Sequence, residues 1–154
     1  MKIGIVVYSQ TEHTYSVAQK LQKRLQEKGN EVELERVVMK GEVHPGSKDM
    51  EFEIVPDVEK YDALVFGSPV QAFSLARPMK AYLEQIQSLQ GKKISLFVTK
   101  GVRFNWTGGN QAISKMKEIS QSKGGSIVGT DIIIWNKNRD EKIDALLARF
   151  SAIF

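Results

Sequence analysis

Lys2 to Tyr8 is apolar at nearly every position, the pattern of a strand buried on both faces. Glu31 to Val37 instead alternates acids with Val32, Leu34 and Val37, as a half-exposed strand does. Ala63 to Phe66, Ile94 to Val98 and Ile127 to Ile134 add three more short apolar runs. Between these runs the spacing changes to three and four residues. Thr14, Val17, Ala18, Leu21 and Leu25 share one helical face, as do Met79, Leu83 and Ile86, then Ala112, Ile113, Met116 and Ile119, then Ile143, Leu146, Leu147 and Phe150. Punctuation agrees with this division. Gly29-Asn30 suits the end of the first helix, Pro78 a first helical position, and Asn138 followed by Asp140 and Glu141 a helix start.

Strands that alternate with helices pair in parallel, because the crossover helix returns the chain to the same end of the sheet. The pattern therefore predicts an α/β fold, a single doubly wound five-stranded parallel sheet in one domain over residues 1–154. Lys40 to Lys60 breaks the alternation. It carries Pro and Gly with a weak helical signal at Asp57 to Tyr61, and is expected to wrap the sheet edge as a loop. The chain has no internal repeat and no low-complexity tract.

At 154 residues the chain is long enough to bury about two-thirds of its unfolded surface without covalent staples. It has no cysteine, which excludes thiolate catalysis and cysteine metal sites and fits a reducing compartment. Its two histidines, His13 and His44, share no helical face with a carboxylate, so no metal centre is expected. The apolar run at Ile3 to Tyr8 is too short for a signal-peptide core or a membrane span, and the expectation is a cytoplasmic protein with no membrane contact. The formal charge of +4 is unevenly spread: no carboxylate occurs between Gln85 and Lys117, where Lys92, Lys93, Lys100, Arg103, Lys115 and Lys117 lie. That density is too low, and too poor in aromatics, for a nucleic-acid surface.

In an open parallel sheet, ligands sit beyond the carboxyl ends of the strands, where the winding reverses. Three such ends carry unusual residues. Ser9 to Thr14 gathers Ser9, Thr11 and Thr14 before a helix, whose unpaired amides and partial positive charge suit an anion such as phosphate. The ordinary alternative for any one of these hydroxyls is helix capping. Gly67 to Phe73 and Thr99 to Gly109 are the second and third ends. No Gly-x-Gly-x-x-Gly or Gly-Lys-Ser/Thr follows the first strand, which removes the dinucleotide and nucleoside-triphosphate fingerprints.

"YSQTEHT" resembles the flavodoxin phosphate loop, Ser/Thr-x-Thr-Gly-x-Thr, and "YDALVFGSPV" resembles that family's third strand and the loop beside its flavin. The likeness covers the whole chain in order of elements. It implies strand order 2-1-3-4-5 with helices on both faces, and flavin mononucleotide (FMN) as cofactor. Ser9, Thr11 and Thr14 would hold its phosphate, with Gln10, Glu12 and His13 contributing backbone contacts. Ser68, Pro69, Val70, Gln71, Ala72 and Phe73 would line one side of the ring, and Thr99, Lys100, Gly101, Phe104, Trp106 and Gly109 the other. The implied activity is electron transfer to a redox partner protein, and the acid-free stretch suggests an acidic partner or a phosphorylated co-substrate. An FMN-dependent NAD(P)H oxidoreductase of quinones or similar acceptors and a flavin-free regulatory or binding domain remain as alternatives, because one scaffold hosts many activities.

Three departures from the family pattern matter. Glu12 stands where the family has glycine; a left-handed backbone there would cost about 1–2 kcal/mol, and the cheaper geometry turns its carboxylate to solvent. Gln71 stands where many relatives carry a tryptophan, leaving Phe104 and Trp106 as stacking candidates, while Phe73 and Trp135 are expected to pack in the core. The third departure is charge. A cation at Lys100 or Arg103 beside the ring would raise the cofactor's potential.

Overall fold

A computed structural model describes residues 1–41, 50–101 and 108–154. The chain runs β1 (Lys2–Val7), α1 (His13–Glu27), β2 (Glu31–Arg36), β3 (Val38–Met39), β4 (Phe52–Ile54), β5 (Ala63–Gln71), β6 (Ser74–Leu75), α2 (Arg77–Gln85), β7 (Lys93–Lys100), α3 (Gly109–Ser122), β8 (Ser126–Ile134) and α4 (Arg139–Ile153). The long strands form a parallel sheet in the order β2-β1-β5-β7-β8. Numbered among themselves, these strands stand in the order 2-1-3-4-5, as expected.

The strand alternation divides the core between two faces. Ile3, Ile5 and Val7 of β1, Ala63 and Val65 of β5 and Phe97 of β7 pack with Val17, Leu21 and Leu25 of α1 and Ile143, Leu146 and Phe150 of α4. Val6, Leu64, Phe66, Leu96 and Val98 point the other way, onto Met79, Tyr82 and Leu83 of α2 and Ala112 and Met116 of α3. The helical stripes read from spacing are the buried ones, with Ile113 only partly covered. Gly4 is dictated by this packing: a Cβ there would stand 2.5 Å from the Tyr61 ring. Gly29, at φ 94°, ends α1 with the Asn30 amide bonded back to the Leu25 carbonyl.

Three expectations are corrected. The edge segment is not all loop, because Val38 and Met39 pair antiparallel with Ile54 and Phe52. No helix forms at Asp57 to Tyr61; the Asp57 carboxylate accepts the Glu59 amide at 3.0 Å, and this local turn outcompetes a helix that Pro56 cannot extend backwards. Pro78 is the second residue of α2, not the first.

Two phenols tie this region together. The single Tyr61 hydroxyl hydrogen is shared between the carboxylates of Glu33, at 2.6 Å, and Glu35, while Tyr82 donates to the Pro56 carbonyl at 2.6 Å. Burial, and then the nearby carboxylates, hold both phenols protonated well above the usual 10.0. A folded-state pKa above the unfolded one gives stability that is complete below the unfolded value and lost as pH rises past it. The free energy of unfolding is therefore expected to fall above pH 10, by up to about 1.4 kcal/mol per pH unit for each phenol. Tyr82→Phe should flatten that fall, as read by denaturation at stepped pH.

Candidate functional site

Strand β1 ends where its apolar run ends, and the chain must turn through residues 8–12 to enter α1. It does so with Glu12 in the left-handed region, at φ 65° and ψ −4°, the backbone for which glycine is the natural residue. The Glu12 carbonyl accepts the first helical bond, from Ser16 at 2.9 Å, and the Glu12 side chain caps nothing. Ser9 Oγ takes the amide of Tyr15, at 3.4 Å. Among the described residues, no acceptor takes the amides of His13 or Thr14, so the helix keeps two donors at its start. The Thr14 hydroxyl is buried and bonds that of Thr99, at 2.9 Å, which ties α1 to the end of β7. One of these two hydroxyls donates to the other, leaving one hydrogen for a further acceptor.

The Glu12 carboxylate turns outward and meets Arg36, the last residue of β2, at 2.9 Å. The same guanidinium donates to the Ser9 carbonyl at 3.3 Å and lies 4.5 Å above the Tyr15 ring. Arg36 thus touches the chain before, at and after the left-handed residue, from Ser9 in the loop to Tyr15 in α1. Both partners of the ion pair are more than a third exposed, so its direct worth to stability is at most about 1 kcal/mol. His13, the first residue of α1, stacks on Trp135 with ring centres 4.0 Å apart and planes within 10°, and the Arg139 guanidinium lies 4.7 Å from the same indole.

The second end is a hairpin instead of a loop. Ser68, Pro69, Val70 and Gln71 belong to β5, whose last residues pair with β6 across a two-residue turn of Ala72 and Phe73. Both turn residues have positive φ, 49° and 62°, as the mirror-image hairpin turn requires. Phe73 is therefore not core: it is 66% exposed, because this backbone throws its side chain off the sheet. Gly108, at φ 105°, backs onto the hairpin tip so closely that a Cβ would stand 2.5 Å from the Phe73 backbone. Next to the hairpin turn, the Gln71 side-chain amide donates to that of Gln10, which latches the first end to the second. Burial pushes the Tyr8 phenol up, against the lowering influence of these two side chains.

Thr99 and Lys100 also belong to a strand, β7, and both are buried. Burial pushes the Lys100 ammonium down from its usual value, and the Lys100 carbonyl accepts the Trp135 amide at 2.7 Å. Gly101 is exposed, while Gly109 begins α3 with its backbone against the Lys100 stem and Ile132. Phe104, Trp106 and Arg103 lie outside the described residues.

The sheet therefore brings Ser9 to Thr14, Ser68 to Phe73, and Thr99 and Lys100 to its carboxyl end, at the winding reversal between β1 and β5. Trp135 packs partly buried against the α1–α4 face. Arg36 was not foreseen, since only the parallel pairing of Val7 with Arg36 carries that residue to the loop. A cleft of about 390 Å³ lies elsewhere, outside edge strand β8, between Asn110, Ile113, Asp131, Lys137 and Lys142. No residue of the predicted site lines it. Among the described residues no cluster of His, Asp or Glu could hold a metal ion, and no helix is long and apolar enough to cross a membrane.

No protein-family model matches the chain, and no curated protein sequence does. Solved structures do match. Oxidised flavodoxin 2 from Bacillus cereus superposes over 100% of both chains with a TM-score of 0.74 at 21% identity. Two-electron reduced flavodoxin from Megasphaera elsdenii covers 97% of this chain and 98% of its own, with a TM-score of 0.72 at 20% identity. Fusobacterium nucleatum flavodoxin bound to FMN covers 99% and 98%, with a TM-score of 0.66 at 18% identity. The fold is flavodoxin-like.

The hairpin tip yields a stability test. Replacing Ala72 by Asn and Phe73 by Gly supplies residues that adopt positive φ readily, and the pair should raise stability by about 1–2 kcal/mol in urea denaturation. An unchanged or lower midpoint would contradict the strained turn.

Proposed function

We propose that this flavodoxin-like chain binds FMN and passes electrons to a partner protein. The observation that carries the reading is the start of α1: two amides that no described residue accepts, edged by hydroxyls, opening at the winding reversal of the sheet. This donor set fits a phosphate. Neutral N–H and O–H groups surround the position, and the one carboxylate nearby is turned out and paired. The amides of His13 and Thr14 and the hydroxyls of Ser9, Thr11 and Thr14 would hold the phosphate. Gln10, Glu12 and His13 would add main-chain contacts. Ser68, Pro69, Val70, Gln71, Ala72 and Phe73 would flank the ring on one side, and Thr99, Lys100, Gly101, Phe104, Trp106 and Gly109 on the other.

FMN, when bound, supplies one- and two-electron redox chemistry, so the chain needs no nucleophile or general base. Its residues bind, orient and tune. Lys100 is a buried cation at this end of the sheet, and positive charge there favours electron gain by the ring. The net charge of +4 favours a redox partner with an acidic face. A chain without cysteine also accords with work in the cytoplasm.

Purified protein titrated with FMN is expected to quench flavin fluorescence and shift the visible absorption bands, with slow release of the cofactor. Glu12→Gly should bind several-fold more tightly, because it removes both the left-handed strain and the nearest negative charge. Lys100→Met should lower the midpoint potential of the loaded protein in a redox titration. Failure to bind FMN at micromolar protein would overturn the proposal; rapid oxidation of NADH by the loaded protein alone would replace electron carriage with a reductase.

A further inference from the structure

The first loop contains its own competitor for the site. Glu12 is the residue immediately before α1, and a carboxylate at a helix start is drawn to the same amides and partial positive charge that would hold a phosphate. It does not reach them. Its side chain makes no cap bond and is held instead by Arg36, 2.9 Å away across the end of the sheet. The Arg36 guanidinium is fixed by more than this pair: it also donates to the Ser9 carbonyl at 3.3 Å and lies over Tyr15, 4.5 Å from the ring centre. These contacts leave the carboxylate one favoured direction, away from the amides of His13 and Thr14.

We infer that Arg36 is a positioning residue, which keeps the α1 anion site open by holding the Glu12 carboxylate out of it. The inference rests on the reading of that site as a phosphate site. Its physical content is a switch of partner. With Arg36 present, the carboxylate is neutralised by a guanidinium; without it, the carboxylate turns to the helix start and an arriving phosphate must displace it. The effect is confined to ligands that carry the phosphate.

The test compares FMN with riboflavin, which has the same ring and no phosphate, by fluorescence titration. Arg36→Ala should weaken FMN on the order of tenfold and leave riboflavin unchanged, with a larger loss at low salt. Arg36→Met keeps an aliphatic stem over Tyr15 and should behave the same way, which covers the case of a poorly folded alanine variant. Adding Glu12→Gln to either variant should restore FMN affinity to near wild type, since the competitor is then uncharged. Equal losses for FMN and riboflavin, or a loss that Glu12→Gln does not rescue, would reduce Arg36 to a structural support and overturn the inference. Unchanged FMN affinity in Arg36→Met would do the same. Wild-type protein that binds neither ligand would overturn the cofactor reading and this inference with it; wild-type protein that binds both equally would overturn the phosphate site while leaving a flavin ring site.

Discussion

A chain that leaves a buried parallel strand and enters a helix on the sheet's face must reverse within a few residues, and here the reversal turns on one left-handed residue. Glu12 takes φ 65° without being glycine, so its strain must be offset by neighbours. Arg36 supplies those contacts from the adjacent strand, and the Thr14–Thr99 hydroxyl pair fixes the helix from the other side. The direction of α1, and hence of its first amides, follows from that turn.

The same end of the sheet is tied laterally. Gln10 and Gln71 join the β1 and β5 ends, and Gly108 allows the start of α3 to press on the hairpin tip. Apolar packing on the two faces of the sheet holds the strands, while these polar contacts hold the strand ends where the candidate site lies. The acid-free run of the sequence is divided by the fold. Lys92 donates to the Glu59 carbonyl and Lys115 pairs with Glu118 at 3.4 Å, whereas Lys100 is buried in the candidate site's own strand. Sequence proximity of these lysines thus does not make one basic face.

The fold was legible because its determinants are local. Apolar runs marked the five long strands, and three- and four-residue spacing marked the faces of α1 to α4. What escaped reading depends on contacts between distant residues or on turn geometry. Ser68 and Pro69 are polar or helix-breaking by type, yet they continue β5 because Ser68 pairs with Val98 and Pro69 with Thr99 in the parallel ladder. Phe73 reads as core by composition, and only the positive φ of its turn exposes it. Among the site residues, the hydroxyls and the outward turn of Glu12 could be read from the loop itself. The residue that receives Glu12 could not, because Arg36 is 24 positions away and ends a strand of ordinary alternation.

The central claim is that the first amides of α1 grip a phosphate. Amide chemical shifts followed by NMR during titration with FMN test it most directly. The account predicts that the largest changes fall on Gln10 to Thr14, with those of His13 and Thr14 moving downfield as they gain an anionic acceptor. Saturable binding that leaves these amides unmoved would contradict it.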